Sequence, residues 1–200
     1  SCSAPFTVND FKKFMPVQAA QPPSAPAAGA APSTKAGPSS RSATLRLVEE
    51  LAAIRNGDSA KKNGFIVEAM DDNLYKWHIK MFGFDKSEPI AKDMQALGVA
   101  HILLEFSFGP DYPFTPPFVR VVRPRFAFHS GHVTIGGSIC MELLTKTGWS
   151  PANTVESVVI SIWSEFLAGG ARLDRSNKSD YTEQEARAAY DRVAAQHGWK

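Results

Sequence analysis

The sequence predicts an α+β domain: one helix, a four-stranded antiparallel meander, an irregular stretch and two closing helices. Three observations carry the prediction. Apolar residues recur at helical spacing from Ser42, then with a period of two through successive short runs, and return to helical spacing after Trp149. Strands gathered in one block with helices outside it mark an α+β chain rather than an alternating α/β one.

Taken in order, residues 1–42 read as a flexible tail and 43–200 as the folded domain. The run 16-PVQAAQPPSAPAAGAAPSTKAGPSS-40 is almost entirely Pro, Ala, Ser and Gly, and it cannot bury enough apolar surface to offset the entropy of being ordered. Ahead of it, 6-FTVNDFKKFMPV-17 is mildly amphipathic. It reads either as an unordered end or as a short segment for a partner.

In 42-SATLRLVEELAAIRNG-57, Leu47, Leu51 and Ile54 stand at i, i+4 and i+7 beside Leu45, Val48 and Ala52, and Asn56-Gly57 supplies the stop. A short strand is expected at 64-GFIVEAM-70, with Asp71-Asp72-Asn73 as the turn. Through 74-LYKWHIKMF-82, Tyr75, Trp77, Ile79 and Met81 alternate with Lys76, His78 and Lys80, the pattern of a half-buried strand. Ala100, Ile102, Leu104, Phe106 and Phe108 share one face of 98-GVAHILLEFSF-108, and 118-FVRVVR-123 is the fourth strand. Short or medium connections imply a meander with one solvated face.

After Trp149, residues Val155, Val158, Val159, Ile162, Trp163 and Phe166 follow the helical period behind Asn153 or Thr154 as cap. This helix is apolar over more than a narrow stripe and is expected to be central. The last, 182-TEQEARAAYDRVAAQHG-198, opens with a Thr-x-x-Glu capping box and closes at Gly198.

Composition narrows the class. A chain of 200 residues, 44% hydrophobic and 21% charged, has enough apolar material for one core. A net charge of +2 is too weak for a nucleic-acid partner. With only Cys2 and Cys140, and Cys2 in the tail, a disulfide framework is not expected. A reducing intracellular setting, cytoplasmic or nuclear, follows. No apolar run is long enough for a bilayer, so no membrane is expected, and no secretory signal is visible.

The chemistry centres on Cys140. A lone cysteine is either a small core residue or a nucleophile. Three features favour the second reading. The stretch 129-HSGHVTIGGSI-139 lacks a sustained period, as expected of a loop on a scaffold. Gly136 and Gly137 allow close approach of a substrate backbone or a positive φ. His129 and His132 lie near enough in sequence to supply a base or a donor, although each is equally readable as a solvated loop residue. A zinc site of His129, His132 and Cys140 lacks a fourth ligand, and a Cys–His hydrolase has no local signature here. In 109-GPDYPFTPPF-118, the prolines fix a rigid turn. It either shields a sheet edge or presents Phe114 as an anchor. The turn 149-WSPAN-153 leads into the central helix.

In order, "GPDYPFTPPFVRV", "GGSICMELL" and "GWSPANTVESVVISI" resemble the ubiquitin-conjugating (E2) enzymes, and the resemblance covers roughly residues 43–200. "HVT…GG…ICMELLTKTGW" and the terminal "HGW" are similar to the Q-type subgroup, whose members often carry an extra N-terminal domain not visible in these residues. The resemblance implies a UBC-like fold in the block order read above. It implies Cys140 as the thioester-forming catalytic cysteine and a partner surface of Phe114, Ser150, Pro151 and Ala152 with the first helix. The implied partners are ubiquitin, a ubiquitin-activating enzyme, a ubiquitin ligase and protein substrates. The implied activity is acceptance of ubiquitin as a thioester and its transfer to a lysine. No cofactor is implied, since the activating enzyme consumes the ATP. A non-catalytic UBC-like binding module, or a carrier of another ubiquitin-like modifier, stands as the alternative.

The chain departs from the family in three places. The asparagine of a His-Pro-Asn triplet is replaced by His132, eight residues before the cysteine. The segment before Cys140 is a few residues longer than usual, and 168-AGGARLDRSN-177 replaces an acidic, proline-rich loop. Attack on a thioester builds charge on the carbonyl oxygen, and losing one positioned donor costs about 3 kcal/mol. His132 is therefore expected in the catalytic set, either as the oxyanion donor or as a brace for the loop.

Overall fold

The computed structural model describes residues 38–70 and 73–197. The expected tail up to residue 37, the segment 6–17 within it, Asp71-Asp72 of the first turn and the stop at Gly198 lie outside the described residues.

Helix α1 spans Pro38–Asn56, so it begins ahead of the expected Ser42. Proline is well tolerated in a first turn because its missing N–H has no intrahelical partner there, and the Pro-Ser-Ser start therefore does not break the helix. Ala43, Leu47 and Leu51 are buried, whereas Leu45 and Val48 on the other side are half exposed. A one-turn α2, Ser59–Lys62, buries Ala60.

Strands β1 (Phe65–Met70), β2 (Asn73–Met81), β3 (Ile102–Ser107) and β4 (Phe118–Arg123) form a sheet in the order β1-β2-β3-β4, every pair antiparallel. The alternation read in β2 holds: Trp77, Ile79 and Met81 are fully buried. They align with Phe106, Leu104 and Ile102 of β3, and this inner face shares one core with Leu47 and Leu51 of α1 and with Val158, Ile162 and Phe166.

Between β2 and β3 lies a helix the sequence reading lacked, α3, Pro89–Leu97. It is too short to show a repeat, and its apolar positions Ile90 and Met94 flank a buried Asp93, which breaks the pattern. Proline starts it, and Gly98 ends it with φ +68°. Asp93 is completely buried and receives Arg172, Arg175 and the Leu173 N–H. The first of these holds its carboxyl well below the usual range.

Helix α4, Val155–Ala168, is central as expected: Val155, Val158, Val159, Ile162 and Phe166 are all buried. Thr154 is the cap, in a reciprocal box with Ser157. Helix α5, Glu183–His197, follows the predicted Thr182–Glu185 box.

The outer face of the sheet is solvated only in part. Along β1 and β2, Glu68, His78 and Lys80 meet water, but Glu105 and Arg120 of β3 and β4 are buried. Their cross-strand pair is 2.9 Å long, and Arg120 also donates to the Tyr181 carbonyl just before α5. A buried charge pair survives where hydrogen bonds complete it, and here the C-terminal segment provides the cover.

Candidate active site

Backbone hydrogen bonds place Cys140 at the edge of the sheet beyond β4. The Val121 N–H donates to the Gly137 carbonyl (2.7 Å) and the Ile139 N–H to the Val119 carbonyl (3.0 Å). Arg120 and Ser138 form an antiparallel bridge. This register sets Cys140 opposite Phe118, on the face that carries Arg120. On its other side Val133 bridges Ile139, and the Cys140 N–H donates to the His132 carbonyl (2.9 Å). The stretch has no strand period because only isolated bridges hold it.

The thiol of Cys140 is free and half-buried, and burial pushes it up from the ordinary cysteine value. The nearby imidazoles of His132 and His129 are engaged by Glu165 and Phe128, and among the described residues neither is paired with the thiol as a Cys–His hydrolase requires.

Gly137 does adopt positive φ, +91°, but the close approach the two glycines permit is internal. A Cβ on Gly137 would sit 2.6 Å from the Tyr181 ring. One on Gly136 would strike the Glu185 carbonyl and lie 2.8 Å from Ala189. The glycines let the loop press against α5 and its approach, rather than opening a path for a substrate backbone.

His132 has left-handed backbone, φ +55°, as does His129 at +57°, a conformation that costs a non-glycine residue about 1–2 kcal/mol. The surroundings hold it there. The Gly131 N–H donates to the Gly169 carbonyl (3.0 Å), and His132 Nε2 lies 3.2 Å from Glu165 Oε2 near the end of α4. The imidazole packs on Gly169, where a Cβ would come within 2.7 Å of its Cδ2. His129 instead stacks edge-on against Phe128. Among the described residues no group of three or more His, Cys, Asp or Glu is placed to hold a metal.

The other candidate residues form a second cluster. Phe114 is 70% exposed at the tip of the proline turn, and Ser150, Pro151 and Ala152 are exposed as well. Trp149 Nε1 donates to the Pro113 carbonyl (2.7 Å) and ties the two loops together. Sequence reasoning missed what joins them to α1. Buried Glu50 accepts from Tyr112 Oη, Arg46 Nε and the Val155 N–H, each at 2.6 Å, and Arg46 also reaches the Asn153 carbonyl. Its signal was a carboxylate one helical turn from Leu47 on the apolar side of α1. Glu165 and Tyr190 were missed too. Tyr190 packs edge-to-face on Phe118, 5.8 Å between centroids, and nothing in its helical pattern set it apart.

A four-stranded meander extended at its edge by a bridged, cysteine-bearing segment, with one central helix beneath, defines the UBC class of α+β domain. Human ubiquitin-conjugating enzyme E2 G1 is similar in structure, with a TM-score of 0.50 and 26% identity over 64% of this chain and 96% of its own. The family described as ubiquitin-conjugating enzyme matches residues 46–197, and the chain belongs to that family. Ubiquitin-conjugating enzyme E2 Q1 of human and of mouse is 42% identical over 165 residues, which is 78% of this chain and 39% of that protein. Ubiquitin-conjugating enzyme E2 W of Caenorhabditis elegans is 34% identical over 62% of this chain and 75% of its own length. The chain thus spans about two-fifths of the length of the E2 Q1 proteins it matches.

Proposed function

We propose that this domain accepts ubiquitin from an activating enzyme as a thioester on Cys140 and passes it to a lysine, with a ligase as the usual third partner. What carries the reading is Cys140 itself, a half-buried free thiol on a braced segment within the family-matched region. Two acyl transfers make up the reaction. In the first, the Cys140 sulfur attacks the thioester carbonyl of the charged activating enzyme and displaces that enzyme's thiol. In the second, an amine attacks the new thioester, and Cys140 is the leaving group.

His132 acts as a positioning residue in this scheme. Its carbonyl takes the Cys140 N–H while its ring is engaged by Glu165, so it holds the cysteine's backbone. Phe114, Ser150, Pro151 and Ala152, with the exposed side of α1, form the surface for activating enzyme and ligase. The Glu50 junction keeps these three elements in one arrangement. Among the described residues no helix is long and apolar enough to cross a membrane. The single described thiol suits a reducing intracellular compartment.

The test is incubation with activating enzyme, ATP and ubiquitin, read on reducing and non-reducing gels. The wild-type chain is expected to give one thiol-sensitive adduct, absent in Cys140→Ala and thiol-resistant in Cys140→Ser. His132→Asn, which tolerates left-handed backbone, is expected to charge like wild type, and His132→Ala more slowly. No adduct on a folded wild-type chain would sink the reading.

A further inference from the structure

Helix α5 brings a phenol, Tyr190, against Phe118, the residue across the sheet edge from Cys140. The register that sets Cys140 opposite Phe118 also puts both side chains on the outer face of the sheet edge, the face where α5 lies. Phe118 is held by Arg187, whose guanidinium sits 4.4 Å from the ring centroid, and it receives the edge of Tyr190 at 88°. Ala189, the neighbour of Tyr190, lies in the space left by Gly136. The contacts that lock the cysteine loop onto α5 thus fix the place of Tyr190 as well. Its hydroxyl has no hydrogen-bond partner among the described residues.

His132, the side chain at the family's donor position, is turned to Glu165, which leaves the developing oxyanion without an evident side-chain donor from the loop. We propose that Tyr190 supplies it, donating its phenolic O–H to the thioester carbonyl oxygen on Cys140. The inference rests on the reading of Cys140 as an acyl carrier. In the step concerned, the amine nitrogen bonds to the carbonyl carbon and the C=O π pair moves onto oxygen, where the Tyr190 O–H holds it. The pair then returns, the C–S bond breaks, and its electrons leave on Cys140 sulfur. The ammonium proton passes to solvent, and the thiolate regains one. Burial pushes the Tyr190 phenol above its ordinary pKa, so it stays protonated, and a donor, at neutral pH.

Tyr190→Phe isolates the hydroxyl, since the ring that packs on Phe118 remains. Wild-type and variant chains are charged to completion with excess activating enzyme, quenched, and their discharge is followed to free lysine, to hydroxylamine and to water. The expected result is a loss of roughly 100-fold in maximal rate. It should be similar for all three nucleophiles, with the half-saturating lysine concentration and the thermal midpoint unchanged. A structural role would move the midpoint, and a role in seating the amine would act on lysine alone. Either of those outcomes, or discharge at the wild-type rate, overturns the inference while leaving Cys140 as the carrier. A wild-type chain that never charges overturns the reading of Cys140 and this inference together.

Discussion

Around Glu50, three distant pieces of chain converge on one buried carboxylate through side chains; around Cys140, the convergence is made by backbone and by the absence of side chains. The first region gathers α1, the proline turn and the start of α4 onto two oxygen atoms. The second gathers β4, the 129–140 loop and α5 through bridges and through glycines pressed against the helix. The difference decides how each region fails. A hub of charge-assisted bonds in a buried place loses everything with its acceptor. A backbone lattice loses only what a new atom pushes aside.

The largest expected effect therefore lies at the hub. Glu50→Ala leaves Tyr112 Oη, Arg46 and the Val155 N–H without their acceptor and is expected to cost about 3 kcal/mol or more, measured by urea unfolding. Tyr112→Phe removes one donor and leaves the carboxylate two others, so about 1 kcal/mol is expected. Equal costs for the two variants would mean that Glu50 is not the common acceptor. The contrast between the regions would then collapse.

Gly136→Ala probes the other side of the comparison. Its Cβ would meet the backbone of Glu185, with the carbonyl carbon 2.7 Å away, and a helix backbone gives less readily than a flexible side chain. A cost of about 1–3 kcal/mol is expected. It should come with faster hydrogen exchange in α5 and in the 137–140 segment, while the amides at Val155 and Tyr112 stay protected. Loss of protection at both regions alike would show one cooperative unit and not two differently built ones.

How far the sequence speaks also differs between the regions. Period and capping made α1, the four strands, α4 and α5 readable, because burial on one face imposes a repeat and exposed termini need specific caps. The short α3 escaped because Asp93 interrupts its apolar face, and the arginines that make a buried aspartate tolerable come from residues 172 and 175, far along the chain. Cys140, Phe114 and the 150–152 turn stood out through local composition. Glu50, Glu165 and Tyr190 did not. Each acts through a partner that is distant in sequence, and a one-dimensional pattern carries no trace of that pairing. The glycines beside Cys140 were noticed for the wrong neighbour: their flexibility was legible, but the helix filling the space was not.

The smallest effect is an acid one, read on the Cys140 side in α5. Glu183, bonded first to Lys76 and then to Arg187, and Glu185, bonded to Thr182 and Arg125, are both drawn down to about 2 from the usual 4.5. Because the folded values are depressed, their contribution is complete above about pH 4.5 and is lost as the pH falls toward 2. Both carboxylates are a third or more exposed, so water and salt discount the gain. The expected change is a modest loosening of α5 within that window, not collapse of the sheet. Hydrogen exchange of α5 amides at pH 5 and pH 3 measures it, with added salt reducing the difference. In the Glu183→Gln, Glu185→Gln double variant the pH dependence should flatten. If that variant keeps the full acid response, the anchors of α5 are not these two carboxylates. The glycine contacts at 136 and 137 would then be what holds the helix over the cysteine.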